Sequence, residues 1–486
     1  MTDGETAAEP PTMASVQRYS AFSRWQQNTI IGLAAVGGWF STVSSFIYFP
    51  AIPFLASDLG VSIGNVNLTV TSYLIMAGVF PAIMGDAADR FGRRPVLLLG
   101  MLVYLAANIG LALQSNFALL FVFRMIQSAG ISGTFSITYG VLSDLFTPAE
   151  RGGYSGTVSF FLLTPPSLGP ILSGLLLLRW TWRSIFWLLA AMSALSLLGM
   201  ALFLPETARS IVGNGSIPAK GINKALMPKI SPKGSQGIRN NSLALPPSRR
   251  ESRKPPNPLA ALKLLRIPST VIMLVAYGIN YAVSSCLQAS LSTLFVDIYH
   301  VSGLVASLVY LPFGVAVCLS AFTTGRLLDF DYKRTIKETG IVVEKGKATD
   351  LNNFPIERAR LRTVVYSIAL SALLVMGYGW TMQARLSMAV PLVLQFFIGL
   401  ATQVIFVALN TLLVDLHPDC PSTAQAACNF VRCEMAAACL AGLDALIRKI
   451  GPGWTFVLFG FALVVEFLMI LLLLLKGFKW RRRSTQ

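Results

Sequence analysis

Apolar residues along this chain gather into twelve long runs, and nearly all the charge sits in the breaks between them. The runs cover roughly 29–55, 67–85, 95–113, 117–142, 154–178, 183–204, 268–295, 303–323, 363–381, 389–414, 424–447 and 454–475. Each is close to the length, about 20 residues, that carries a helix across the hydrocarbon core of a bilayer. The pattern predicts an all-α polytopic membrane protein with twelve spans, whose even number places both termini on one side.

The polar breaks select that side. Of 39 lysines and arginines, 32 fall in the tails and the loops sharing their side, five fall opposite, and Arg124 and Arg432 lie inside spans. Positive charge stays cytoplasmic, so both termini are expected in the cytoplasm. The net charge of +17, which in a soluble protein points to nucleic acid, is thereby explained by topology. The expected partner is the lipid bilayer, not nucleic acid. Composition agrees, since 54% hydrophobic and 13% charged residues, with a mean hydropathy of +0.63, leave too little charge to cover a soluble surface.

The longest break, 205–267, is rich in Pro, Ser, Asn, Lys and Arg and reads as a disordered basic cytoplasmic linker. It divides a six-helix bundle at 29–204 from a second at 268–475, which a basic loop at 324–362 interrupts. A polar, disordered N-tail at 1–28 and a basic C-tail at 476–486 complete the layout. In the linker, Arg249-Arg250-Glu251-Ser252 suits a basic-directed kinase, and the sequons at Asn214 and Asn240 are expected to stay bare on the cytoplasmic side.

An internal repeat supports two halves. Gly85-Asp86-Ala87-Ala88-Asp89-Arg90-Phe91-Gly92-Arg93-Arg94 follows the second run, and Gly325-Arg326-Leu327-Leu328-Asp329 repeats its Gly-to-Asp spacing. Asp144 and Asp415 echo each other, as do Trp182 and Trp454. Both copies of the charged features fall on the same side, as in parallel repeats.

The pattern G-x-x-x-D-R-x-G-R-R-x-x-L at Gly85–Leu97 resembles the loop between spans 2 and 3 of the major facilitator superfamily of secondary transporters. The resemblance implies that fold, with two parallel six-helix repeats, and a latch that joins the halves at the cytoplasmic face. It nominates Gly85, Asp89, Arg90, Gly92, Arg93, Arg94, Gly325 and Asp329 as gating residues. The glycines allow close approach and unusual dihedrals, and Asp89 is expected to face a helix N-terminus, which favours negative charge. Asp86 is an additional acid without an expected role.

Arg124-Met125-Ile126-Gln127-Ser128 in span 4 resembles the family's R-x-x-Q-G string, which implies proton coupling for Arg124, and Gln127 is a candidate substrate contact. A charge inside a span costs about 3 kcal/mol on insertion scales unless it faces a cavity or a partner; a packing ion pair is the plain alternative. In span 5, Gly156, Gly169, Pro170 and Gly174 resemble the superfamily's antiporter motif, with Pro165 and Ser173 where glycines are usual. Span 11 carries Asn429-Phe430-Val431-Arg432-Cys433-Glu434, an N-x-x-R-C string similar to that of fungal 12-span drug:proton antiporters and related organic-acid exporters. Asn429 and Arg432 share a helix face. Arg432 is a candidate anion contact and Glu434 a candidate proton carrier. Asp444 and Glu466 are further acids in spans. By position in the resembled fold, Trp39, Ser44, Tyr48, Tyr277, Asn280, Tyr281, Gln288, Gln395 and Asn410 line the cavity. Interhelical packing is the plain alternative for each.

Enzymatic chemistry finds no support. Gly346-Lys347 lacks the rest of a phosphate-binding loop, only His300 and His417 are present, and the six cysteines show no metal or disulfide spacing. No cofactor is expected. The reading is a secondary carrier that exports a small organic molecule (a drug, secondary metabolite or organic acid such as citrate or itaconate) by proton antiport, from the plasma membrane. A transporter-like nutrient sensor or a proton symporter for uptake are the alternatives.

Overall fold

The computed structural model describes residues 19–146, 154, 158, 161, 164–219, 221–226, 264–339, 354–417 and 421–484. Helices arise where apolar runs meet local capping. Ser23 opens α1 (Arg24–Phe46) with a capping box, its hydroxyl accepting the Gln26 amide while the Gln26 side chain accepts the Ser23 amide. The helix thus begins inside the stretch expected as a disordered tail, and Tyr19 already donates to the Ser143 carbonyl at 3.0 Å. A proline-containing bend at Phe49–Ala51 leads to α2 (Ile52–Leu59), which ends on Gly60 at φ 62°. Ser62 caps α3 (Ile63–Phe91), and α4 (Arg93–Leu113) starts directly after Gly92, whose φ of 108° breaks the helix. The N-terminal half continues with α5 (Phe117–Ile131), α6 (Gly133–Leu145), α7 (Pro165–Leu177), α8 (Arg183–Phe203) and the single turn α9 (Arg209–Val212).

The C-terminal half comprises α10 (Pro268–Tyr299), α11 (Gly303–Leu308), α12 (Leu311–Thr339), α13 (Ile356–Gln383), α14 (Ala389–Leu416) and α15 (Pro421–Ser484), the last broken at Gly451 with φ 79°. Among the described residues ten stretches are long and apolar enough to cross a bilayer. The break at Gly451 divides one of these into two crossings, and α7 is the described part of a further span, which gives the twelve expected.

Each half packs largely on itself: α4 against α5 and α8, α1 against α6, α10 and α13 against α15, α12 against α14. Among the described residues the halves meet chiefly in two places. In the first, α3 runs against α15 from Gly64, where a Cβ would meet Asp444 Oδ2 at 3.0 Å, to Gly78, where one would meet Glu434 Oε1 at 2.9 Å. Thr71 donates to the Ala437 carbonyl at 3.4 Å between these points. In the second, α7 meets α11, with a Cβ at Gly174 falling 2.7 Å from Ser307 Oγ. Both contacts lie away from the end that carries the termini. Toward the terminal-bearing end, α3 turns instead to its own half, where Gly85 faces Ser136 of α6.

Two stretches differ from expectation. The Gly325–Arg334 copy is not a loop but part of α12. Seven residues after Gly85 stands Gly92, which takes a positive φ, whereas seven after Gly325 stands Tyr332, which continues the helix. Hydrogen bonds from Thr335 to the Asp331 carbonyl and from Arg334 to Glu338 follow the helical spacing. The expected linker is folded at its start, with Glu206 and Val212 buried. The kinase-like string at 249–252, Asn240, Gly346-Lys347 and Cys420 lie outside the described residues. None of the five described cysteines is in a disulfide.

Gly174→Ala should destabilise the protein by about 1–3 kcal/mol through overpacking at Ser307. Gly442→Ala should be silent, since nothing lies within 4 Å of its Cβ position. Thermal unfolding of the two variants in detergent checks the contrast.

Candidate coupling and substrate site

Arg124 is the largest fully buried side chain, 1% exposed, and it sits at the heart of the N-terminal half. Its guanidinium is sandwiched between the rings of Tyr48 and Tyr73, 4.1 and 4.4 Å from their centroids. Nη1 donates to Gln127 Oε1 at 2.6 Å and to the Ser44 carbonyl at 3.4 Å, while Nε and Nη2 have no hydrogen-bond partner. No carboxylate pairs with it among the described residues, so the packing ion pair is absent here. Aromatic faces supply part of the missing counter-charge, about 2 kcal/mol or more each when desolvated.

A polar chain holds this cage in place. Gln127 Nε2 donates to Asn108 Oδ1 at 2.7 Å, Asn108 donates to the Tyr104 carbonyl at 2.8 Å, and the Tyr104 and Ser44 hydroxyls are 2.6 Å apart. Tyr48 shares a 2.7 Å hydrogen bond with Thr69, and Tyr73 donates to the Ser41 carbonyl at 3.0 Å. Tyr73 and Tyr104 were not among the residues nominated from sequence. A tyrosine within an apolar run carries no local signal that an arginine elsewhere will need its ring.

Arg432 is the counterpart in the other half. Its Nε and Nη2 both donate to Asn429 Oδ1, at 3.0 and 2.6 Å, and it lies 4.9 Å from the Tyr281 ring centroid. Tyr277 and Tyr281 pack on Phe406, with centroids 5.1 and 6.0 Å away. Asn429 Nδ2 donates across the seam to the Ala77 carbonyl at 2.6 Å. Tyr73 and Ala77 are one helical turn apart on α3, so this helix touches both arginine sites. Glu434 lies on the same seam against Gly78, with Oε1 buried and unpartnered.

The other nominated residues are dispersed. Asn280 points within the C-terminal half, donating to Glu466 at 3.4 and 3.5 Å. Gln395 is fully buried, with neither side-chain polar atom partnered. Asn410 accepts from Gln425 at 2.6 Å, Gln288 is buried beside Tyr310, and Trp39 donates to Thr164 at 3.1 Å. Gly169 lets α7 approach α1, its Cβ position 3.0 Å from the Ile47 nitrogen, and Pro170 is buried beside it. Gly156 lies outside the described residues.

The turn between α3 and α4 is held by a group other than the acid expected there. Asp89 does not face a helix N-terminus. It pairs with the Arg93 side chain at 2.5 Å and is largely exposed. The acid at the start of α4 is Glu206, 2% exposed, which accepts the Arg93 and Arg94 amides at 2.9 and 3.2 Å and the Thr207 and Ala208 amides at 2.9 and 2.8 Å. Two of these donors are the first amides of α4, where a helix start favours a negative charge, and the other two come from the chain just after Glu206. Arg93 reaches Asp144 at 3.3 Å. Arg94 donates to the Leu204 and Ala201 carbonyls at 2.8 and 2.7 Å and to that of Ile222, closing the end of α8. Asp86 finds its role with Arg90, 2.7 Å away. Among the described residues, every hydrogen bond and ion pair of this turn goes to the N-terminal half or to the first residues of the linker that follows it.

In the C-terminal half, Gly325 has open space beside it and Asp329 is exposed. There Arg360 pairs with Asp415 at 2.9 Å, as Arg93 does with Asp144. Glu338 is bound by Arg362 and Arg334, and those hydrogen bonds, Arg362's foremost, hold its carboxyl below the usual range.

A sequence profile for the Major Facilitator Superfamily matches residues 34–442. The MFS-type transporter phiD of a fungal species is 35% identical over 96% of this chain and 71% of its own length. Multidrug transporter QDR2 of Candida glabrata is 33% identical over 93% of this chain and 80% of its own. Among solved structures, a D-xylose-proton symporter superposes with a TM-score of 0.68 at 14% identity, covering 91% of this chain and 97% of that one. The human organic anion transporter MFSD10 superposes with a TM-score of 0.58 at 16% identity, covering 91% and 99%.

Glu206→Ala leaves four amides without their acceptor and should cost about 1–3 kcal/mol. Glu206→Gln keeps one carbonyl oxygen and should cost less. The order wild type, Gln, Ala in melting temperature checks this.

Proposed function

The chain belongs to the major facilitator superfamily, and we propose from that premise that it exports a small organic molecule from the cytoplasm in exchange for protons, by alternating access. The observation that carries this reading is Arg124, a buried cation with two aromatic faces and no carboxylate partner among the described residues. A charge left uncompensated in lipid surroundings is retained where its partner changes during a cycle. Arg124, with Gln127 and Tyr48, is the coupling group of the N-terminal half. Glu434 carries the proton at the seam. Arg432, Asn429, Tyr277 and Tyr281 contact the substrate, and Asn280 and Gln395 shape the wall behind them.

Export is supported by the small-residue pattern of α7, where Gly169 and Gly174 permit close contacts on both sides of Pro170. It is supported also by relatives whose names describe them as a multidrug transporter and a quinidine resistance protein. The uneven distribution of Lys and Arg favours cytoplasmic termini and, with export, the plasma membrane. In that orientation the α3–α15 and α7–α11 contacts lie toward the outer side, as an inward-facing stage of the cycle would require. The two six-helix bundles are the rigid bodies, 29–204 and 268–475.

Cells expressing the protein and loaded with labelled drugs or organic acids should lose one class several-fold faster than cells without it, and a protonophore should remove the difference. Arg124→Gln should lower gradient-driven efflux at least tenfold while leaving the protein folded. Accumulation driven by the same gradient would identify an uptake symporter instead. Signalling without flux would identify a sensor.

A further inference from the structure

A cavity of about 480 Å³ lies at the end of the molecule away from the termini, between the start of α3 and the ends of α10 and the first part of α15. It is unrelated to the arginine sites in position and chemistry. Its polar lining includes Asn67, Ser290, Thr293, Asp297, Asp444 and Arg448. Arg448 is bonded to Asp444. Asp297 makes no ion pair among the described residues; Asp444 across the cavity and His300, three residues on, are the titratable groups near it. The lining therefore carries one negative charge more than it balances.

A second observation is independent of those acids. Asn67 is 3% exposed, lines the cavity, and its Oδ1 has no hydrogen-bond partner. Thr293 Oγ1 on the opposite wall is also unpartnered. A buried carbonyl acceptor without a donor costs about 1–3 kcal/mol, so this wall is built to receive an N–H or O–H group. Unmatched acceptors beside an excess carboxylate select a ligand that brings both positive charge and hydrogen-bond donors.

Size separates an organic cation from a metal ion. The volume falls within the range of about 300–1,000 Å³ usual for small-molecule sites, and no group of three metal-ligating side chains occurs among the described residues. Apolar walls from Val61, Ala289, Leu294 and Leu443 suit a hydrocarbon body. Asn67 belongs to one half and Asp297 and Asp444 to the other, so rocking of the halves would take the site apart.

We propose that this cavity binds a protonated organic amine at the outer mouth of the transport path, separate from the arginine sites. The proposal rests on the carrier reading only for its place on that path; binding itself does not require transport.

The test uses full-length protein in zwitterionic lipid nanodiscs, with rhodamine 6G, a cation bearing N–H donors, as the probe and Nile red as an uncharged comparator. Fluorescence anisotropy should show saturable rhodamine binding that Asp297→Asn weakens about tenfold, as expected for loss of a charge-assisted contact. Asp297→Glu should restore it, Asn67→Leu should weaken it, and Nile red binding should be unchanged throughout. Wild-type protein that binds no rhodamine, Asp297→Asn that binds as well as wild type, or a parallel loss of Nile red would each overturn the proposal. Asp297-dependent binding without proton-coupled flux would sink the carrier reading and leave this site standing. Proton-coupled flux with Asp297-independent binding would do the reverse.

Discussion

The close approach of α3 and α15 is the contact on which the arrangement depends. Gly78 has room for no side chain, because Glu434 Oε1 and Cys433 Cβ occupy the space 2.9 and 3.2 Å from where its Cβ would stand. In lipid there is no hydrophobic force between apolar helices, so small residues and interhelical hydrogen bonds hold such contacts. The Asn429 side chain gives this one its polar lock at Ala77. That same amide receives the Arg432 guanidinium, and one turn earlier Tyr73 covers Arg124. A shift of α3 along α15 therefore acts on both arginines, which is a physical route for linking the two halves' charges.

The two arginines are held differently. Arg124 is fixed by rings and a buried amide and hydroxyl chain, and two of its nitrogens stay unpaired. Arg432 is half-buried, bonded to one asparagine and next to one ring. A rigid, under-satisfied cation on one side and a more accessible one on the other suit coupling and substrate contact respectively. At the terminal-bearing end, Glu206 and Arg94 bind the start of α4 to the end of α8, so the turn at Gly85–Arg94 moves as a piece of its half.

Much of the fold was legible in the sequence, because span length and charge asymmetry are set by the bilayer and recur at every helix. Local spacing misled where backbone geometry mattered. Gly325 and Asp329 keep the spacing of Gly85 and Asp89, yet Tyr332 in place of a second glycine lets α12 run on. Nothing near Glu206 in the sequence marks its role, because its partners, the amides of Arg93 and Arg94, lie more than a hundred residues earlier and leave no local trace. Tyr73 and Asn67 were hidden for the same reason, since their importance comes from α15, α5 and α10 folding against them. Arg124 and Arg432 were visible as buried charges from the start, because a charge in an apolar run stands out from its neighbours in the chain itself.

The proposed function requires that two rigid halves rock about the α3–α15 and α7–α11 contacts. Pulsed electron spin resonance on the reconstituted protein tests it most directly, with one label pair at Phe91 and Phe330 near the termini and another at Ser57 and Ser387 at the opposite end. All four positions are exposed. The account predicts opposite changes of several ångströms as proton load and substrate are varied, the first distance shortening while the second lengthens. Distances that stay fixed, or that lengthen together, would contradict it.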